Sequence, residues 1–105
     1  MIDLSNIDGF EWDEGNKEKN WIKHQVSTSE TEQIFYNRPL IIIDDSGHST
    51  GLEIRYKAFG RTILGRKLAV IFTVRGTKIR PISSRTMHKK ERKAYEQQEE
   101  NEEQS

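Results

Sequence analysis

The sequence predicts an α+β domain: an antiparallel sheet of about four strands, flanked by two helices on its N-terminal side and one on its C-terminal side. Three observations carry that expectation. Two helix-start signals, Asp13 and the pair Ser27 and Glu30, precede the strand-rich segments. Residues 40–84 then hold segments rich in β-branched and aromatic residues, separated by turn signals. After Met87 the chain reads as helical again, to about Gln98.

In chain order, a short strand at residues 10–12 is compatible with the pattern, and Asp13 caps a helix over residues 14–24 whose apolar edge is Trp21 and Ile22. Ser27 with Glu30 forms a capping box for a second short helix that carries Ile34 and Phe35 toward the core. Arg38-Pro39 ends it, because the residue before proline avoids the helical region. Residues 40–44 suit a buried strand, and residues 45–51 form a loop. Residues 53–59 alternate, with Arg55, Lys57 and Phe59 on one side and Ile54, Tyr56 and Ala58 on the other. The apolar run 68–74 reads as the central strand, and Arg75-Gly76 as the tight turn that folds residues 78–84 antiparallel beside it. Pro81 has no N–H, which places it at an edge or a bulge. Residues 1–95 are read as one domain and residues 96–105 as an acidic, frayed tail too polar to pack.

Of the 105 residues, 32% are hydrophobic, so the core is modest. Cysteine is absent, which removes thiolate chemistry, disulfides and zinc ribbons. The first ten residues lack the pattern of a signal peptide and no apolar run approaches a membrane span, so a cytoplasmic protein without membrane contact is expected. The net charge is zero, yet the charges are segregated. Residues 1–54 carry four Lys or Arg against eleven acids, residues 55–94 thirteen Lys or Arg against Glu91 alone, and residues 95–105 five Glu and no base. A basic block running through strands attracts a polyanion, since each cation near a phosphate releases counterions.

No phosphate loop, dinucleotide fingerprint or nucleophile elbow is present, which leaves nucleotide hydrolysis, dinucleotide chemistry and serine hydrolysis without their parts. His24, His48 and His88 are not paired at ligand spacing. Asp44, Asp45 and His48 share a loop, but no metal or other cofactor is expected. Arginine is what remains: Arg55, Arg61, Arg66, Arg75, Arg80, Arg85 and Arg92 recur from the strands into the last helix, and each guanidinium fork matches two phosphate oxygens. Attack of a ribose 2′-hydroxyl on its adjacent phosphorus builds charge on phosphate oxygens, which fixed cations stabilise. A proton acceptor is also needed, and Glu53, His24, Lys23 and Tyr95 are the candidates.

The stretch Phe10-Glu11-Trp12-Asp13, then Asn20, then Lys23-His24-x-Val26-Ser27 resembles the opening of the BrnT toxin family, with Gln25 where that family has glycine. The resemblance continues through residues 45–49, Glu53-x-Arg55, Gly60-Arg61, Gly65-Arg66-x-Leu68, Thr73-x-Arg75-Gly76, Arg80-x-Ile82-Ser83-x-Arg85 and Glu91-Arg92, with Tyr95 three residues on. It implies a RelE-like fold and a ribonuclease toxin of a type II toxin–antitoxin pair. Such a toxin blocks translation and is neutralised by a BrnA antitoxin through which alone it meets promoter DNA, and the absence of ligand-spaced His, Cys or carboxylate clusters predicts that it cuts without a metal. Within the densest blocks, Arg66, Arg80 and Arg85 are expected to line the phosphate site, with Lys23, His24 and Glu53 transferring protons. Arg55, Lys57, Arg61, Arg75, Lys89, Lys90, Arg92 and Tyr95 are expected to contact RNA. The rival readings are a module that binds RNA or DNA without cutting and an inactive toxin retained for partner binding. A left-handed Gln25 would cost roughly 1 kcal/mol relative to glycine.

Overall fold

The computed structural model describes residues 2–45, 47 and 49–104. Its elements are β1 (Gly9–Phe10), α1 (Glu14–His24), α2 (Thr28–Gln33), β2 (Ile41–Asp44), β3 (Tyr56–Arg61), β4 (Lys67–Arg75), β5 (Lys78–Thr86) and α3 (Lys89–Glu103). The strands lie in the order β1-β5-β4-β3-β2. The class is α+β as expected, but the sheet has five strands and is mixed, because β1 runs parallel to β5 through the pairs Gly9–Lys78 and Phe10–Ile79. A two-residue strand has no periodicity to read, so sequence alone does not reveal its partner.

β4 is central because its apolar run is buried on both faces. Gly76, at φ 59°, opens the two-residue turn to β5, the place where a primed hairpin turn wants glycine. Pro81 sits at a register shift opposite Phe72, so the ladder loses nothing by its missing N–H. On one face Leu68, Val70 and Phe72 of β4 pack with Ala58, Ile79, Val26 and Ile34. Phe72 lies between Phe35 and Tyr56, at 5.2 and 5.5 Å between ring centroids. On the other face α3 covers only part of the sheet, its Tyr95 packing with Ala69, Met87, Ile41 and Phe59.

Four expectations need correction. α2 ends at Gln33, and Ile34 and Phe35 reach the core from the turn after it, not from the helix. β2 is an edge strand, with Ile43 and Asp44 exposed, where a buried strand was expected. β3 begins at Tyr56 because Thr50 and Glu53 close a turn on each other, N–H to carbonyl in both directions at 2.8 and 3.3 Å. α3 continues to Glu103 instead of fading near Gln98. Glu and Gln favour helix, and Glu96 and Glu99 are held by Lys67 and Arg61.

Gly60 of β3 passes under the turn after α2, and a Cβ there would stand 2.8 Å from Ile34 Cβ and 3.2 Å from the Ile34 carbonyl oxygen. The backbone does not yield cheaply, so Gly60→Ala is expected to destabilise the fold by about 2 kcal/mol, lowering Tm by roughly 10 °C in a thermal melt.

Candidate functional site

Cross-strand pairing decides which cations share a face. On the side of the sheet that α3 half covers, the register of β3, β4 and β5 sets Lys57, Ile71 and Ser83 in one row and Phe59, Ala69 and Arg85 in the next. Thr73 and Arg80 form a row on the other flank, with Arg55, just before β3, in line with them. Arg61 and Lys67 pair beneath α3. The middle row is left uncovered, and Lys57 pairs with no acid among the described residues. Arg80 and Arg85 flank this opening. Their rows are four residues apart on β4, about 13 Å at the usual strand rise.

Each guanidinium is held by acids. Arg85 makes a two-pronged pair with Glu91 of α3, at 2.8 and 3.0 Å. Glu91 also accepts the His88 N–H at 2.8 Å, which ties the start of α3 to the same arginine. Arg85 first, and the His88 N–H with it, hold the Glu91 carboxyl down to about 2 against the opposing effect of burial. Arg80 reaches Glu11 and Asp13, at 3.2 and 3.4 Å. Asp13 also caps α1 by accepting the Asn16 N–H, and Trp12 between them donates to Glu32 at 2.7 Å. The segment that orients Arg80 is therefore fixed at both ends.

Arg66 stands apart from these two. It donates to the Glu30 carboxylate at 3.0 and 3.1 Å, to the Gln25 carbonyl at 2.7 Å and to the His24 carbonyl at 3.4 Å. It clasps the end of α1 to the capping box of α2. Burial alone would raise the Glu30 pKa, but the Ser27 N–H and Arg66 outweigh it and hold the carboxyl below its ordinary value.

α1 lies along the stretch of β5 that β1 does not cover. Its buried Asn20 accepts the Ser84 N–H at 3.2 Å, filling the vacancy on that strand edge, while the Thr31 hydroxyl donates to the Ser84 hydroxyl at 2.8 Å. This docking brings the end of α1 beside Arg85. Burial first, then Lys23, Arg85 and Lys19, push the His24 pKa below 6.5, so its imidazole stays neutral at neutral pH.

The sequence-derived set therefore divides. His24 lies close enough to Lys23 and Arg85 to feel both charges, at the Arg85 end of the open face. Arg55 and Glu53 lie at the other, 3.7 Å apart, beyond hydrogen-bond reach, with Arg80 on that flank. Arg75 is exposed at the β4–β5 turn, and Lys89, Lys90 and Arg92 lie on the exposed start of α3. Tyr95 leaves the set of RNA contacts and proton acceptors. It is 1% exposed, donates to the Pro39 carbonyl at 2.6 Å, and is pushed up to about 12 by burial. Arg61 is tied to Glu99 at 2.6 Å. His48 lies outside the described residues, so the loop grouping of Asp44, Asp45 and His48 is not described; among the described residues no three His, Asp or Glu side chains gather as a metal site requires. Glu11, Asp13 and Glu91 were not singled out for this site. The Glu91 contact had a local signal, an acid at the third position of a helix, whereas Glu11 and Arg80 are 69 residues apart.

Gln25 adopts the left-handed conformation, φ 55° and ψ 39°, after the last turn of α1. Its side-chain amide donates to the Trp21 carbonyl at 3.0 Å, which offsets part of the strain. Gln25→Gly is expected to leave stability within about 1 kcal/mol, on the stabilising side, by chemical denaturation.

A family model described as the ribonuclease toxin BrnT of type II toxin–antitoxin systems matches residues 12–91. Among solved structures, that of the Brucella abortus ribonuclease toxin BrnT is similar, with a TM-score of 0.59 and 21% identity, over 77% of this chain and 97% of that one. That likeness shows a shared fold. No curated protein matches the chain.

Proposed function

Because the chain belongs to the BrnT family of type II toxin–antitoxin ribonuclease toxins, we propose that it cuts RNA without a metal ion on the open face between Arg80 and Arg85. The observation that carries this reading is the register of β4 and β5, which sets two guanidinium forks on one face with Lys57 and Ser83 between them. A phosphate there meets fixed cations in place of a metal, and the charge that builds on its oxygens during 2′-hydroxyl attack is met by donors already in position. His24, neutral at the edge of the site, accepts the 2′-hydroxyl proton, and burial, with Lys23 and Arg85 beside it, keeps the ring unprotonated. Glu53 belongs with the far row, so it is not the partner of His24 in one transfer. Arg66 acts as a positioning residue through its grip on the end of α1. The RelE-like reading of the fold rests on the antiparallel part of the sheet, and neutralisation by a BrnA-type antitoxin, in the cytoplasm where translation occurs, follows from the family reading.

Incubating the purified chain with bulk RNA, with and without EDTA, tests the proposal. Cleavage is expected to proceed equally in both. Activity abolished by EDTA and restored by one divalent ion sinks the metal-free mechanism, and binding without cutting supports the rival binding module.

A further inference from the structure

The outer edge of β2 is unpaired at the margin of the sheet. The Asp45 N–H donates to the Arg55 carbonyl at 2.9 Å, in line with the Ile41–Phe59 and Ile43–Lys57 pairs, so by antiparallel alternation the peptide groups of Ile42 and Asp44 face outward. Beside this edge runs an apolar groove of about 310 Å³ between α3 and the sheet, lined by Ile41, Phe59, Lys90, Glu91, Ala94 and Tyr95. Ile43, 48% exposed, prolongs its apolar floor along the strand. At its rim stand Lys57, opposite Ile43, and Lys90 of α3, neither of which pairs with an acid among the described residues.

Resting on the reading of the chain as a toxin held by a protein antitoxin, we propose that this edge and groove receive an extended, acidic segment of that antitoxin as a sixth strand. An extended peptide satisfies the outward peptide groups of Ile42 and Asp44, sets alternate apolar side chains into the groove, and meets the surrounding lysines with its acids. RNA matches only the last of these features, since an apolar trough and a row of unpaired peptide groups offer little to a phosphate backbone. A strand seated there lies one strand beyond Lys57, at the margin of the open face, so inhibition follows from cover of that margin.

A twelve-residue peptide alternating Glu with Val or Leu serves as the probe, with amide hydrogen exchange of the full chain read by NMR. Saturation is expected to slow exchange of the Ile42 and Asp44 amides about tenfold or more, while Ile41 and Ile43, already bonded inside the sheet, change little. Ile43→Glu and Ala94→Glu, both at exposed positions, are expected to weaken peptide binding about tenfold with little change in Tm. Absence of binding at peptide concentrations on the order of 1 mM, or binding that leaves those two amides unprotected, overturns the proposal. Protection of them by a twelve-nucleotide single-stranded RNA and not by the peptide overturns it too, giving the edge to RNA. RNA cutting is not read here, so a chain that binds the peptide but fails the cleavage assay loses the ribonuclease reading and keeps the docking site.

Discussion

Replacing Arg80 and Arg85 together by lysine is expected to give a folded protein that cuts RNA at least ~10²-fold more slowly, the scale for loss of a transition-state donor. Lysine keeps the charge, and with it much of the attraction to Glu91, Glu11 and Asp13 that both arginines hold in place. It cannot reproduce the planar fork, so general RNA affinity is retained while the charge building on phosphate oxygens loses its matched donors. The check is a cleavage time course beside a thermal melt, with growth arrest on expression as the cellular readout. A folded double variant that cuts like the parent removes both residues from the reacting site.

Cleavage is also expected to fall about tenfold per pH unit on the acid side, with the limb centred below 6.5, and His24→Gln is expected to remove that limb and cost roughly 10² to 10⁴ in rate. Burial, Lys23, Arg85 and Lys19 all disfavour the imidazolium, so the proton-accepting form persists to lower pH than in a free histidine. Stability moves the same way, because the unfolded chain takes up a proton that folded His24 refuses, and it declines as pH falls from 6.5 toward the lowered value. Glu91 behaves differently. With its folded pKa at about 2, its contribution is complete above the ordinary 4.5 and is lost only as pH falls toward 2. The Arg85–Glu91 pair is thus intact throughout the window in which His24 titrates, and loss of cutting there in a chain that is still folded at the assay temperature isolates the histidine. An acid limb that His24→Gln leaves unchanged rules His24 out as the base.

What sequence reveals here follows the range of the interactions. Caps act over three residues, so Asp13 and the Ser27–Glu30 box mark their helices correctly. The β4–β5 hairpin is equally local, and Gly76 identifies it. The cost foreseen at Gln25 is visible in its positive φ because the conformation belongs to one residue. The site is another matter. Arginines at 66, 80 and 85 look equivalent as a series, yet the fold sends Arg66 to the α1–α2 corner and sets the other two on the open face. Tyr95 carries the same chemistry on paper as a surface tyrosine, and only the packing of α3 shows that its hydroxyl is spent on Pro39. The end of α3 is not legible because a run of Glu and Gln shows no apolar face, while its anchors, Lys67 and Arg61, come from strands 29 and 38 residues earlier.

The parallel pairing of β1 has a kinetic consequence. Gly9 and Phe10 find their partners only at Lys78 and Ile79, so this contact closes a loop spanning most of the chain and its entropic cost must be met before any local reward is returned. On a ribosome the N-terminal segment emerges first and waits, while β4 and β5 can zip through their short turn as soon as both are clear. Docking of β1 therefore comes late in folding. Glu11 and Asp13 travel with β1, so the acids that orient Arg80 arrive in that same late step. A nascent chain that has already formed its hairpin still lacks a finished site, and the enzyme ripens only after most of its synthesis is over.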